Sequence, residues 1–172
     1  MDHEILYEGK YLRLLRTGHW EYTERVAISG IVGIVAVTPE GNLLLVEQFR
    51  PPVHASVIEL PAGLAGDHPG AAEEELADAA RRELLEETGY AAETMTLLTA
   101  GPPSAGTTSE VITLFRADGL TREHAGGGDA TETITVHEVP LADVPAWLAT
   151  RRQAGAQLDL RIYTGLWFLA QG

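Results

Sequence analysis

The segment from Ala71 to Thr88 is the feature that most restricts the fold of this chain. It is rich in Ala, Leu and Glu and contains neither glycine nor proline, a composition typical of an α-helix. Gly89 follows directly, and glycine is a common residue at the end of a helix. Strand-like apolar runs lie on both sides of the segment. A central helix between strands predicts an α/β or α+β fold built in layers.

The strand-like runs differ in character. Gly30 to Thr38 is almost wholly apolar, which is typical of a central strand buried on both faces. Two C-terminal helices are predicted, over Leu141 to Ala154 and Asp159 to Ala170. The other predicted strands are Ile5 to Thr17, Trp20 to Ile28, Leu43 to Phe49, Val57 to Leu60, Met95 to Ala100, Val111 to Ala117 and Thr133 to Val139.

Composition excludes several classes of function. The formal net charge is -13, from 25 acidic and 12 basic residues, and such a surface repels nucleic acid and anionic membranes. A phosphate-binding protein of this charge needs local arginines or bound divalent cations. The chain has no cysteine, which excludes disulfides, thiolate zinc sites and cysteine nucleophiles. It has no apolar run of about 18 residues and no signal-like N-terminus, so we expect a cytoplasmic protein.

Three glutamates of the predicted helix share one face. Glu83 and Glu87 are separated by four positions and Glu83 and Glu86 by three, which places their side chains together. Their mutual repulsion destabilises an isolated helix, and a bound cation would offset it. Oxygen ligands without His or Cys suit a hard ion, Mg²⁺ or Mn²⁺. Arg82 can orient these carboxylates by ion pairing. The alternative is a merely solvated acidic face, which is common in Glu-rich helices.

The residues from Arg82 to Tyr90 resemble the second half of the Nudix box. The match consists of Arg-Glu, an apolar residue, any residue, Glu-Glu, any residue, Gly and an apolar residue. Glu74 stands eight positions before Arg82, where the family has its earlier glutamate. Gly63 is the best match for the glycine of the box, which implies a five-residue insertion within Leu64 to Glu73.

The resemblance implies a metal site with a defined set of ligands. Glu83, Glu86 and Glu87 would bind the ion, and Glu74 would lie behind them or bind an additional ion. The main-chain carbonyl of Ala62 would also be a ligand, because the family uses the residue before the box glycine.

A second resemblance indicates a more specific class of substrate. Val46 to Arg50, followed by Glu59 to Gly63, is similar to the ADP-ribose and nucleoside-diphosphate-sugar pyrophosphatase branch of the family. In that branch the arginine contacts the diphosphate or terminal ribose, and a guanidinium can bind phosphate oxygens bidentately. The alternative for Arg50 is a surface residue at a strand end. Glu59 would accept a hydrogen bond from a sugar hydroxyl or help to hold metal.

The same branch implies an architecture and a dimer. We expect a Nudix α/β/α sandwich with a mixed sheet over residues 30–172, preceded by a β-strand subdomain over residues 1–29. In this branch the subdomain is often exchanged across a homodimer, and its aromatic residue stacks on the nucleobase. Trp20 is the candidate for that role, and burial in a dimer or core contact is its alternative.

Two further acids are candidates outside the box. Glu110 ends a loop that resembles the branch's Ser-Pro-Gly loop in part, and it is either a ligand contact or structural. Glu132 aligns with the loop acid of the pyrophosphatases and is the candidate general base. Gly126, Gly127 and Gly128 would permit the loop to close over substrate. The alternative is that Glu132 merely precedes a strand.

The sequence therefore predicts metal-dependent hydrolysis of ADP-ribose or a related nucleoside diphosphate sugar, with catalysis by Glu132, Glu86 and Arg82. Dinucleotides and nucleoside triphosphates are alternative substrates. A non-catalytic binding module would be expected to lose box carboxylates, and this chain keeps them. Isomerase chemistry on the same fold requires a cysteine, and a role on RNA conflicts with the net charge of -13.

Overall fold

The computed structural model describes residues 2–67, 70, 74–128 and 133–171. Within these ranges the chain forms eleven strands and three α-helices. The strands are β1 (Glu4–Glu8), β2 (Leu12–Thr17), β3 (Trp20–Arg25), β4 (Gly30–Ala36), β5 (Asn42–Arg50), β6 (Ala55–Glu59), β7 (Ala62–Ala65), β8 (Tyr90–Gly101), β9 (Ile112–Arg122), β10 (Ile134–Pro140) and β11 (Gln157–Leu158). The helices are α1 (Leu76–Thr88), α2 (Val144–Gln153) and α3 (Leu160–Leu169).

The described strands form three sheets. The first contains β1, β2 and β3 and is antiparallel throughout. The second has the order β10-β5-β6-β11 and the third the order β7-β4-β9-β8. Each of these two sheets is mixed, because β11 runs parallel to β6 and β9 runs parallel to β4. The mixed sheet and the separate N-terminal strands agree with the sequence-based prediction.

Strand β4 lies at the centre of two apolar cores. Val32, Ile34 and Ala36 pack in one cluster with Leu84 of α1. Val35 points to the opposite face and packs in the second cluster with Ile162 of α3. Burying such side chains contributes roughly 1.5–3 kcal/mol each. The sheets are therefore covered by α1 on one side and by the C-terminal helices on the other, as an α/β/α sandwich requires.

Some strand predictions need correction, and strand β7 was not predicted. The expected single strand over Ile5 to Thr17 is wrong, because the chain turns at Gly9, whose amide donates to the carbonyl of Leu12 at 2.8 Å. The β8–β9 hairpin is longer than expected, since its cross-strand pairs continue from Gly101 to Tyr90. The stretch after Pro61 contains β7, which pairs with β4 and brings Gly63 opposite Val32.

The central helix begins later than its composition predicts. Ala71 to Glu73 lie outside the described residues, and Glu75 has an extended backbone with φ -67° and ψ 139°. Glu74 accepts a hydrogen bond from the main-chain amide of Gly66 at 3.1 Å. This contact ties Glu74 to the loop after β7, so Glu74 precedes α1. Among the described residues, no helix has the length and apolar character to cross a membrane.

Candidate active site

Helix α1 carries two of its three predicted ligands on its buried side, beside its apolar residues. Ala79, Ala80 and Leu84 are fully buried in the core beside β4. Glu83 and Glu87 are also buried, whereas the side chain of Glu86 is 40% exposed. The structure thus places the three predicted ligands on one helix beside the loop that follows β6. The helix ends at Gly89, which adopts φ 77° and donates its amide to the carbonyl of Leu85 at 2.8 Å.

Arg82 lies at the centre of these carboxylates. Its Nη1 donates to Glu83 at 2.8 Å and to Glu86 at 3.2 Å, and its Nε donates to Glu74 at 3.1 Å. Its Nη2 donates to the main-chain carbonyl of Leu64 at 2.8 Å. Burial alone would lower the pKa of Arg82, but its hydrogen bonds and ion pairs with Glu74 and Glu83 raise it well above its ordinary value. Arg82 therefore holds the acidic face of α1 against the loop after β7.

Strand β7 packs directly on two of the glutamates. The amide of Ala62 donates to the carboxylate of Glu87 at 3.0 Å. A Cβ added to Gly63 would overlap the carboxylate of Glu83, so a larger residue here would displace that carboxylate. Burial raises the pKa of Glu83, while the neighbouring Arg82 opposes that shift. Ala62 and Gly63, predicted as part of the site, are thereby in contact with the carboxylates of α1.

The chemistry of these residues fits a hard divalent cation. Glu83, Glu86 and Glu87 supply only oxygen atoms, the ligands that Mg²⁺ and Mn²⁺ prefer. Burial of Glu83 and Glu87 in a strongly acidic protein calls for positive charge beside them. Within the described ranges, no three acidic, histidine or cysteine side chains are spaced as a ligand set, and Glu83 and Glu86 both bond to Arg82. A bound ion would therefore compete with Arg82 for these carboxylates.

A cleft of about 950 Å³ opens beside this part of β7. Ala62 and Gly63 line it, and three arginines, each paired with a carboxylate, lie around it. The pairs are Arg50 with Glu59 at 2.6 Å, Arg25 with Glu110 at 2.7 Å, and Arg161 with Asp159. The predicted substrate residues Arg50, Glu59 and Glu110 are therefore brought to one cleft.

Sequence reasoning misses three of these residues, Arg25, Arg161 and Asp159, and the last two lie at the start of α3. Asp159 caps the N-terminus of α3, since its carboxylate accepts the amide of Arg161 at 2.7 Å. An Asp followed by a helix with an early arginine is the only local signal, and it is typical of ordinary helix capping. The place of Asp159 and Arg161 in the cleft follows from the pairing of β11 with β6, which sequence patterns do not reveal.

Trp20 does not line the cleft of its own chain. The residue is 55% exposed at the start of β3, with its ring centroid 5.5 Å from that of His19. A Cβ added to Gly106, in the loop after β8, would lie 3.8 Å from the Trp20 ring. That loop is bound to β3 through main-chain hydrogen bonds of Thr23 with Thr107 and with Ser109, at 2.9 and 3.0 Å. The N-terminal sheet and the wall of the cleft are therefore connected.

The candidate base Glu132 lies outside the described residues. The preceding glycines are held against the end of α1, where Gly127 donates its amide to the carbonyl of Glu87 at 2.8 Å and Gly128 donates to that of Glu86 at 3.1 Å. A Cβ added to Gly126 would strike the main chain of Thr88. The glycines thus allow close packing on α1.

Comparisons with known proteins agree with this geometry. A sequence model of the NUDIX domain matches residues 29–159. The chain is 36% identical over 147 residues to an ADP-ribose pyrophosphatase of Bacillus subtilis (strain 168), covering 81% of this chain and 77% of that protein. It is 33% identical over 158 residues to a methanol dehydrogenase activator of Bacillus methanolicus, covering 87% and 82%.

A solved structure shares the fold. The crystal structure of an ADP compounds hydrolase superposes with a TM-score of 0.64 at 20% identity, covering 85% of this chain and 81% of that one. This similarity confirms the predicted α/β/α architecture. The match to the NUDIX domain, together with the 36% identity to the Bacillus subtilis protein, shows that the chain belongs to the Nudix hydrolase family.

Proposed function

We propose that this protein hydrolyses the pyrophosphate bond of ADP-ribose or a related nucleoside diphosphate sugar, using a divalent cation. The products are a nucleoside monophosphate and a sugar phosphate. The observation that carries the proposal is that β7 contacts both the glutamates of α1 and the cleft. Ala62 and Gly63 touch Glu87 and Glu83, and they also line the arginine-containing cleft. The similarity to a protein named ADP-ribose pyrophosphatase supports the choice of substrate.

The metal site is proposed on α1. Glu83, Glu86 and Glu87 would hold Mg²⁺ or Mn²⁺ together with the main-chain carbonyl of Ala62. Glu74, which already binds Arg82, would orient this set or bind an additional ion. A bound cation would neutralise the diphosphate, lower the pKa of the attacking water and stabilise the leaving phosphate.

The cleft residues have distinct proposed tasks. Arg50 would bind the diphosphate, because its planar guanidinium matches two phosphate oxygens. Glu59 would then face the sugar, whose hydroxyls can donate to a carboxylate. Glu110 is held by Arg25 at 2.7 Å and would shape the wall between the cleft and the N-terminal sheet. Arg82 would keep the helix glutamates in position, which makes it a positioning residue.

Trp20 acquires its proposed role only in a homodimer. Because Trp20 lies outside the cleft of its own chain, stacking on a nucleobase requires the cleft of a second copy. The N-terminal strands and the turn between β1 and β2 expose Ile5, Tyr7, Tyr11 and Leu12, which offers a second copy apolar side chains to contact. The homodimer, the subdomain boundary at residue 29 and the cytoplasmic location all stay predictions.

A substrate panel tests the proposed function. ADP-ribose, other nucleoside diphosphate sugars, dinucleotides and nucleoside triphosphates would be incubated with Mg²⁺, with Mn²⁺ and with a chelator. We expect the highest kcat/KM for ADP-ribose or a nucleoside diphosphate sugar and no turnover with chelator. Incorporation of ¹⁸O from water into one product then identifies the phosphorus attacked. Turnover that persists in chelator would contradict the metal assignment, and no turnover of any compound would contradict the activity.

Replacing Glu132 by glutamine tests the proposed base. We expect kcat to fall about a hundredfold with little change in KM, because a general base typically contributes at least that factor. Steady-state kinetics with the preferred substrate provide the measurement. Glu123→Gln, an exposed glutamate after β9, is the matched control and should remain near the parent rate. A Glu132→Gln rate within twofold of the parent would remove Glu132 as the base.

A further inference from the structure

Glu59 is a buried carboxylate between two arginines. The residue ends β6 and is only 5% exposed. Arg50 donates to its Oε2 from Nε at 2.9 Å and from Nη2 at 2.6 Å. The other oxygen, Oε1, faces Arg161, whose Nη2 lies 3.5 Å away. A buried carboxylate that loses its counter-charge is strongly destabilised. Glu59 therefore requires at least one of these guanidiniums.

Arg161 is the more firmly held of the two. Its main-chain amide and its Nε donate to the Asp159 carboxylate, at 2.7 and 2.8 Å, in the first turn of α3. Its side chain is 21% exposed, against 39% for Arg50. Burial alone would lower the pKa of Arg161, but Asp159, Glu59 and Glu87 together raise it. Arg161 is thus a fixed positive charge attracted by both Glu59 and Glu87.

Arg50 occupies a less restrained position. It is the last residue of β5 and is followed directly by Pro51 and Pro52, which also line the cleft. Its contact with Glu59 uses Nε and Nη2, one edge of the guanidinium, and that edge can also bind two phosphate oxygens. A diphosphate that binds this edge competes with Glu59 for Arg50.

We propose that Arg161 is a positioning residue that takes over Glu59 when the substrate draws Arg50 away. This inference rests on the proposed function, because it requires a diphosphate ligand in the cleft. Closing the gap of 3.5 Å by a few tenths of an ångström gives Arg161 a normal hydrogen bond to Glu59. The buried carboxylate then keeps a counter-charge throughout binding. Without Arg161, Glu59 would retain Arg50 and substrate would bind weakly.

The test is the effect of Arg161→Gln on KM, with Glu59 present and with Glu59→Gln. With Glu59 present, Arg161→Gln is expected to raise KM about tenfold, because it removes one hydrogen bond between charged groups. The kcat should stay within about twofold of the parent. Calorimetry with the α,β-methylene analogue of ADP-ribose should show the same loss of affinity without turnover. In the Glu59→Gln background the tenfold ratio should fall to about one, because the neutral amide no longer holds Arg50.

Two further variants separate this role from folding. Arg152→Gln removes an exposed arginine at the end of α2, outside the cleft, and should leave KM unchanged. Arg161→Lys keeps the charge but not the forked geometry, so its KM should lie between those of the parent and Arg161→Gln. If Arg161→Gln does not fold, the same test is made with Arg161→Lys. Its KM is then compared with that of the protein without it, once with Glu59 and once with Glu59→Gln.

The outcomes distinguish the two proposals. A parent that neither hydrolyses ADP-ribose or the other nucleoside diphosphate sugars nor binds the analogue removes the proposed function, and the role of Arg161 with it. If the parent is active but Arg161→Gln raises KM by the same factor with Glu59 and with Glu59→Gln, only the role of Arg161 is removed. A fall in kcat at constant KM would likewise overturn it.

Discussion

Glu86→Gln is expected to lower kcat about a thousandfold, which corresponds to about 4 kcal/mol of transition-state stabilisation. The substitution removes one negative charge from the proposed ligand set and leaves the size of the side chain unchanged. The fold should tolerate it, because the Glu86 side chain is 40% exposed and an amide oxygen can still accept from Arg82. The free energy of unfolding should change by about 0.5 kcal/mol or less. Kinetics over a Mg²⁺ titration and thermal unfolding provide the two measurements.

Glu75→Gln is the matched control for this prediction. It makes the same change of charge one residue before α1, at an exposed position whose side chain makes no capping hydrogen bond. It should retain the parent kcat, so a loss common to both variants would indicate a general effect of charge. Parent-like activity of Glu86→Gln would contradict the assignment of the metal site to α1.

The acidic face of α1 was accessible from the sequence because its geometry is local. Residues three and four positions apart share a helix face whatever the rest of the fold does. Likewise, the apolar run of β4 required burial on both sides, and the structure places Val35 and Ile34 in separate cores. The start of α1 was not accessible, since the contact of Glu74 with Gly66 depends on the path of the preceding loop.

The role of Arg161 depends on long-range topology. It lies 102 positions from Glu59 along the chain. The two meet because β11 pairs in parallel with β6 and the amide of Asp159 donates to the carbonyl of Ile58 at 2.9 Å. A strand of two residues has no measurable period. The strand that pairs with β11 therefore cannot be inferred from the sequence pattern.

Gly63→Ala is expected to reduce kcat about a thousandfold by displacing Glu83. The added methyl group would overlap the carboxylate carbon and both carboxylate oxygens of Glu83. Glu83 must then move by about 1 Å or more, and misplacement of that size costs a catalytic group about a hundredfold or more in rate. Overpacking should also destabilise the fold by about 1–3 kcal/mol. Gly106→Ala is the control, because its Cβ would meet only the Trp20 ring at 3.8 Å.

Replacing Glu83 by alanine tests whether its carboxylate causes the Gly63→Ala effect. In a Glu83→Ala background the added methyl group at residue 63 no longer meets a carboxylate. The Gly63→Ala substitution should then cost less than about 0.5 kcal/mol of stability and no further activity, a non-additivity expected of residues in contact. Chemical denaturation of the four proteins in this cycle measures the coupling. Equal stability losses in both backgrounds would show that Gly63 is required by the backbone of β7 and not by the carboxylate it faces.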